Sequence, residues 1–273
     1  MMYDSRALYR GSEVREVIRG SLDPMEIKMN LPNPFPAGLQ NAVQVTTPKF
    51  KFKTAGTAGT LIAVILDESG SMESARGPTI AGFNEYVAGQ KSVENAGDAF
   101  MTLVKFDAPH IKTVFVDRPI VEVPDLSTGT YMPNGGTNLL DAIGFTIENV
   151  NNSLASRKKD QRPGVIIIIT TDGFENSSTK YNNEQIKAMV KAAEKADWSF
   201  VFMGANIDSF AVGSTFGMSS SNSVNYSTSK MSGTYDSLNA TTSRMRSAKM
   251  AGTNTADIYA SAMFTDTEKK NMV

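Results

Sequence analysis

The chain has 273 residues, 41% of them hydrophobic and 20% charged, with a formal net charge of −1. This is a globular composition with enough apolar mass for a sizeable core, and its charge balance does not point to a nucleic-acid or anionic-membrane surface. No cysteine and one histidine, His110, are present; this excludes disulfides, thiolate catalysis, Cys-type zinc sites and multi-histidine metal sites.

Residues 1–56 read as a partly irregular N-terminal extension, and residues 57–273 as the domain proper. The opening "MMYDSRALYRGSEVREVIRG" has charges where a secretory signal needs an apolar core, although "EVREVIRG" could form a helical turn. "NLPNPFPAGLQN", with three prolines, reads as irregular or extended. "KFKFK" (49–53) alternates like a half-buried edge strand and equally suits a lysine-bearing linker. "TAGTAGT" (54–60) is a flexible join.

From residue 60 strands and helices alternate. Leu61–Leu66 is apolar throughout, as in a strand buried on both faces. Ile80, Phe83 and Val87 follow at helical spacing. "AFMTLVKF" (99–106) and "IKTVFV" (111–116) read as strands joined by a hairpin at "DAPH". A loop rich in Pro, Gly and Thr covers 118–136. Leu140, Ile143, Ile147, Val150 and Leu154 mark one helix face. "VIIII" (165–169) is the second all-apolar strand and is too short to cross a bilayer.

Asn182 and Gln185 suggest a capping box, with Ile186, Met189, Val190 and Ala193 turned inward and Lys187, Lys191 and Lys195 outward. "WSFVFMG" (198–204) is a further strand, with Trp198 as core or rim packing. Beyond residue 217 the chain turns polar, with a weak helix over 235–250 and an unassigned tail. The alternation predicts a doubly wound α/β fold, with helices on both faces of a mainly parallel central sheet and one antiparallel edge strand. A cytoplasmic protein is the expectation.

Ligands of open α/β sheets bind outside the carboxyl ends of the central strands. The two all-apolar strands end in "DESGSM" and "TTDGFENSS", which places Asp67 and Asp172 at that rim. The loop "PNGGTNLLDAI" brings Thr137 just ahead of a helix. Taken singly, Ser69 or Ser71 could cap a helix and Asp172-Gly173 could be a tight turn. Together, two carboxylates and three hydroxyls make a set of hard oxygen donors suited to Mg2+, Mn2+ or Ca2+.

"LDESGSM", "GGTNLLDAI" and "TTDGFEN" resemble the three loops of the von Willebrand factor A (VWA) domain, a Rossmann-like fold with a metal-ion-dependent adhesion site (MIDAS). Its signature of D-x-S-x-S, a threonine and an aspartate is filled in order by Asp67, Ser69, Ser71, Thr137 and Asp172. The likeness covers about residues 58–215. Farther on, "FMGANIDSFAVGSTFGM" and "FTDTEKK" resemble single-domain A-type proteins of bacteria and phages.

The resemblance implies a Mg2+, Mn2+ or Ca2+ ion held by the Ser69, Ser71 and Thr137 hydroxyls, with Asp67 and Asp172 acting directly or through water. A position left open on the ion would take an Asp or Glu of a protein partner. Similar bacterial proteins work beside MoxR-type AAA+ ATPases, so the implied partner is such an ATPase or a bacterial or phage assembly component. A virion-associated structural part, its loops braced by the ion, is the alternative.

Enzymatic readings lack their residues. Where haloacid-dehalogenase phosphatases carry D-x-D, the second position here is Ser69. No G-x-S-x-G elbow frames Ser69 or Ser71, no P-loop occurs, and His110 follows a different strand. A non-enzymatic module is therefore expected. Glu68 is expected to face solvent, Asp141 to support the site or the start of its helix, and Glu175 and Asn176 to line the rim.

Overall fold

The computed structural model describes residues 50–93, 98–205 and 207–273. The readings for residues 1–49, including "EVREVIRG" and the proline-rich stretch, lie outside the described residues. Six strands form one sheet: β1 (Thr60–Asp67), β2 (Ala99–Asp107), β3 (His110–Pro119), β4 (Gly164–Thr171), β5 (Trp198–Ala205) and β6 (Ser223–Tyr226). The spatial order is β3-β2-β1-β4-β5-β6, and every pairing is parallel except β2 with β3.

β1 and β4 lie side by side at the centre, with Thr60 opposite Gly164 and Leu66 opposite Thr170. Both are buried along their whole length, as unbroken apolar runs require. Alternate residues of β1 serve two cores. Ile62, Val64 and Leu66 pack with Phe83, Tyr86 and Val87 of α1 (Arg76–Ser92) and with Tyr235, Leu238 and Met245 of α5 (Met231–Met250). Leu61, Ala63 and Ile65 pack with Ile143, Ile147 and Val150 of α2 (Leu139–Ala155) and with Ile186, Met189 and Val190 of α3 (Asn183–Glu194). Each fully buried Leu, Ile or Val adds about 1.5–3 kcal/mol of transfer free energy, so these two stripes dominate the driving force.

β3 alternates between exposed and half-buried residues, as suits an edge strand with one face against the protein. The capping box at Asn182 forms in both directions and starts α3.

Three stretches differ from the sequence reading or add to it. Phe50 to Lys53 form no strand; instead Phe52 packs its ring 5.5 Å from that of Trp198, whose Nε1 donates to the Lys53 carbonyl at 2.9 Å. The polar stretch after residue 217 contains β6, too short to show a period. The weak helix over 235–250 begins earlier, at Met231, and is buried on one side through Thr234, Ser237, Thr241 and Thr242. Its hydroxyls fold back onto its own backbone (Ser237 donates to the Gly233 carbonyl at 2.8 Å) or meet core partners, as Thr242 accepts from the Tyr86 hydroxyl at 3.2 Å. The hydrophobic pattern is thus hidden although the face is buried. The tail forms α6 (Thr255–Ser261) and α7 (Asp266–Met272), with a smaller α4 (Ser209–Thr215) after β5. Among the described residues no helix is long and apolar enough to cross a membrane.

Candidate metal centre

Asp67 is the last residue of β1, and its carboxylate is fully buried. Oδ1 accepts the Ser69 amide N–H at 2.7 Å, and Oδ2 accepts the Thr171 hydroxyl at 2.6 Å. Burial pushes this carboxyl up to about 6, against the pull of the bonds from Ser69 and Thr171, and the charge of Asp172 pushes in the same direction as burial. A carboxylate held this way, beside a second acid, is stabilised in its charged form by a cation.

Ser69 stands at the N-cap of the short turn Gly70–Ala75, yet its side chain makes no capping bond. Its hydroxyl instead lies 3.1 Å from that of Ser71, and Ser71 donates to Asp172 Oδ1 at 2.6 Å. The serines are therefore spent on the strand-end cluster rather than on the helix start.

Thr137 is buried and clamped at its backbone by Asn176. The Thr137 N–H donates to Asn176 Oδ1 at 2.9 Å, and the Thr137 carbonyl accepts the Asn176 N–H at 3.0 Å. A Cβ placed on Gly173 would lie 3.2 Å from Thr137 Oγ1 and 3.6 Å from Ser71 Oγ. Hydroxyls of two loops thus converge on the space that Gly173 of the third leaves open. Asp67, Ser69, Ser71, Thr137 and Asp172 are all brought to one rim of the sheet.

Gly135 lets the second loop reach the first. Its φ is +68°, and a Cβ there would lie 2.4 Å from the Ala108 carbonyl oxygen. Its own carbonyl accepts the Gly70 N–H at 3.1 Å.

The donor set fits a hard divalent ion: hydroxyls, two carboxylates, and no softer ligand. It is not a carboxylate cluster. Among the described residues no three of His, Asp and Glu are grouped to hold a metal.

Among the neighbours of these five residues, Glu68 departs from the sequence reading and the others take defined roles. Glu68 does not face solvent. It is buried, and its Oε1 accepts Lys105 Nζ and the Met132 N–H, each at 2.6 Å. Asp141 sits in the first turn of α2 and accepts backbone N–H groups of Thr179, Lys180 and Tyr181, which fastens the loop after Asp172. Glu175 accepts from the Leu140 N–H and the Ser177 and Ser178 N–H groups, tying the second and third loops together. His110 pairs with Asp107 at 3.2 Å on an exposed corner. Thr171 and Tyr131, whose hydroxyl donates to the Asp67 carbonyl at 2.6 Å, escaped the sequence reading, and Asn176, expected only to line the rim, clamps Thr137. Only Lys105 left a signal, as a lone charge inside an apolar strand.

No protein-family model matches the chain, and no curated protein matches it. Solved structures do. Proximal thread matrix protein 1 from the mussel byssus, in its second crystal form, is 15% identical over 69% of this chain and 49% of its own, with a TM-score of 0.51. The chain has the fold of a von Willebrand factor A domain. The same mussel protein with a zinc-occupied MIDAS motif is 16% identical over 78% of this chain and 48% of its own, with a TM-score of 0.45. Manganese-loaded TRAP protein of Plasmodium vivax is 16% identical over 56% and 59%, with a TM-score of 0.37. The chain spans about half the length of the mussel structures it matches. In this A-type fold the five residues stand at the carboxyl edge of the central strands, where α/β sheets take their ligands.

Proposed function

We propose that the chain is a divalent-cation-dependent protein-docking module and not an enzyme. The observation that carries this reading is the convergence of the Ser71 and Thr137 hydroxyls on the space beside Gly173, with Asp172 bonded to Ser71. Ser69, Ser71 and Thr137 would hold the ion through their hydroxyl oxygens. Asp67 and Asp172 would balance its charge directly or through water. Mg2+ is the ion proposed, with Mn2+ and Ca2+ as alternatives. When bound, the ion supplies a positive charge with an exchangeable position that a partner's Asp or Glu can take.

Two large apolar side chains on the same loops support docking of a protein: Met132 is 58% exposed and Phe174 is 63% exposed. The proposed partner is an AAA+ ATPase or a bacterial or phage assembly component presenting an acidic side chain. Calorimetric titration of Mg2+ or Mn2+ into wild type and Asp67→Ala tests the ion, and equal weak binding by both would overturn it. A pull-down with and without EDTA tests the docking. A partner retained equally in EDTA would show that the ion is not the contact.

A further inference from the structure

We propose that the Tyr226 hydroxyl is a positioning group of the metal centre, bonding an oxygen of the site that is in place only when the cation is bound. This rests on the metal reading above. Tyr226 is the last residue of β6, paired with Ala205 at the end of β5, and so stands at the same edge of the sheet as Asp67 and Thr171. Its side chain is 3% exposed and shares the core on the α1–α5 face with Tyr131 and Tyr235. Its hydroxyl has no hydrogen-bond partner among the described residues. A buried hydroxyl left this way destabilises the fold, and phenylalanine would fill the same space without that cost.

Tyr131 shows what a satisfied phenol does in this layer, since its hydroxyl donates to the Asp67 carbonyl at 2.6 Å. Tyr226 has the same neighbourhood and nothing to donate to. Burial, Tyr235 and the charges of Asp172 and Asp67 all hold its phenol well above the ordinary tyrosine value. The hydroxyl is therefore a donor, buried at this edge of the sheet and within the electrostatic reach of the two site carboxylates. Thr60, whose hydroxyl is also unpartnered, opens β1 at the opposite edge of the sheet and has no such setting.

The test is Tyr226→Phe in the full chain, followed by Mn2+ calorimetry and by melting in EDTA and in saturating Mn2+. The variant is expected to be folded and at least as stable as wild type in EDTA, with Mn2+ affinity weakened about tenfold, as for other groups that orient metal ligands. Tyr86→Phe is the control. It removes the bond to Thr242 and is expected to lower the melting temperature equally with and without Mn2+, leaving affinity unchanged. Affinity of Tyr226→Phe within twofold of wild type would overturn the proposal. So would a melting loss already complete in EDTA, or an equal affinity loss in Tyr86→Phe. Wild type that binds Mn2+ while Tyr226→Phe binds equally well refutes this inference alone; folded wild type that binds no Mn2+ refutes the metal reading with it.

Discussion

The Ser71 hydroxyl donates to Asp172 Oδ1 at 2.6 Å across 101 residues of chain. This bond joins the first and third loops and orders two oxygen donors before any ion arrives. Ser71 is exposed, so Ser71→Ala is expected to cost no more than about 1 kcal/mol of stability in EDTA. Its Mn2+ affinity should fall at least tenfold. Calorimetry and urea unfolding on the same preparation separate the two effects.

Asn176 holds Thr137 by its backbone in both directions. Asn176→Ala removes the side-chain half of that clamp without removing any proposed ion ligand. It is expected to weaken Mn2+ binding by about tenfold, the scale for groups that orient ligands. Asn176→Asp, which keeps an acceptor for the Thr137 N–H, should restore most of the affinity in the same titration.

The Lys105–Glu68 pair is buried beneath the first loop, with Lys105 also donating to the Thr130 carbonyl at 2.6 Å. Lys105→Met leaves the Glu68 charge uncompensated and is expected to cost about 3–5 kcal/mol. Glu68→Gln in the Lys105→Met background should recover a large part of that loss. A double-mutant cycle by urea unfolding reads the coupling directly.

Lys249 gives the stability curve a basic limb. Burial lowers its amine to about 8, against the pull of Asp197, and the amine donates to the Asp197 carbonyl and, at 3.2 Å, to Thr255 Oγ1. Between pH 8 and the unfolded value of about 10.4 the unfolded chain binds more protons, so this residue's contribution rises with pH across that window. Below pH 8 the burial penalty is felt in full. Lys249→Met should therefore gain most over wild type near pH 7, and the difference should shrink by pH 10. Urea midpoints of both proteins at matched pH measure it.

Trp198 is the chain's single tryptophan and is completely buried, with the Phe52 ring beside it. Phe52→Ala opens that side to water and is expected to red-shift the fluorescence emission. Its stability cost should be about 1–2 kcal/mol, less than for a fully buried phenylalanine because Phe52 is only half-buried. Unchanged emission would mean that Phe52 does not shield the indole.

The sequence by itself determined the central strands, the helix faces and the chemistry of the rim. An apolar run such as Leu61–Leu66, or the spacing of Ile143, Ile147 and Val150, records burial in a local period, and the residues after such strands must lie at the strand ends. That was sufficient to group Asp67, Ser69, Ser71, Thr137 and Asp172. Tertiary structure alone decided what holds them. Lys105 meets Glu68 across 37 residues and Thr171 meets Asp67 across 104, and no local pattern encodes such pairs. The same is true of β6 and the polar buried face of α5, where hydroxyls satisfied inside the core look like solvent-facing residues in the sequence. Tyr226 belongs to this second class: its letter specifies a ring and a hydroxyl, and only the fold leaves that hydroxyl buried and unpartnered at the strand-end edge of the sheet.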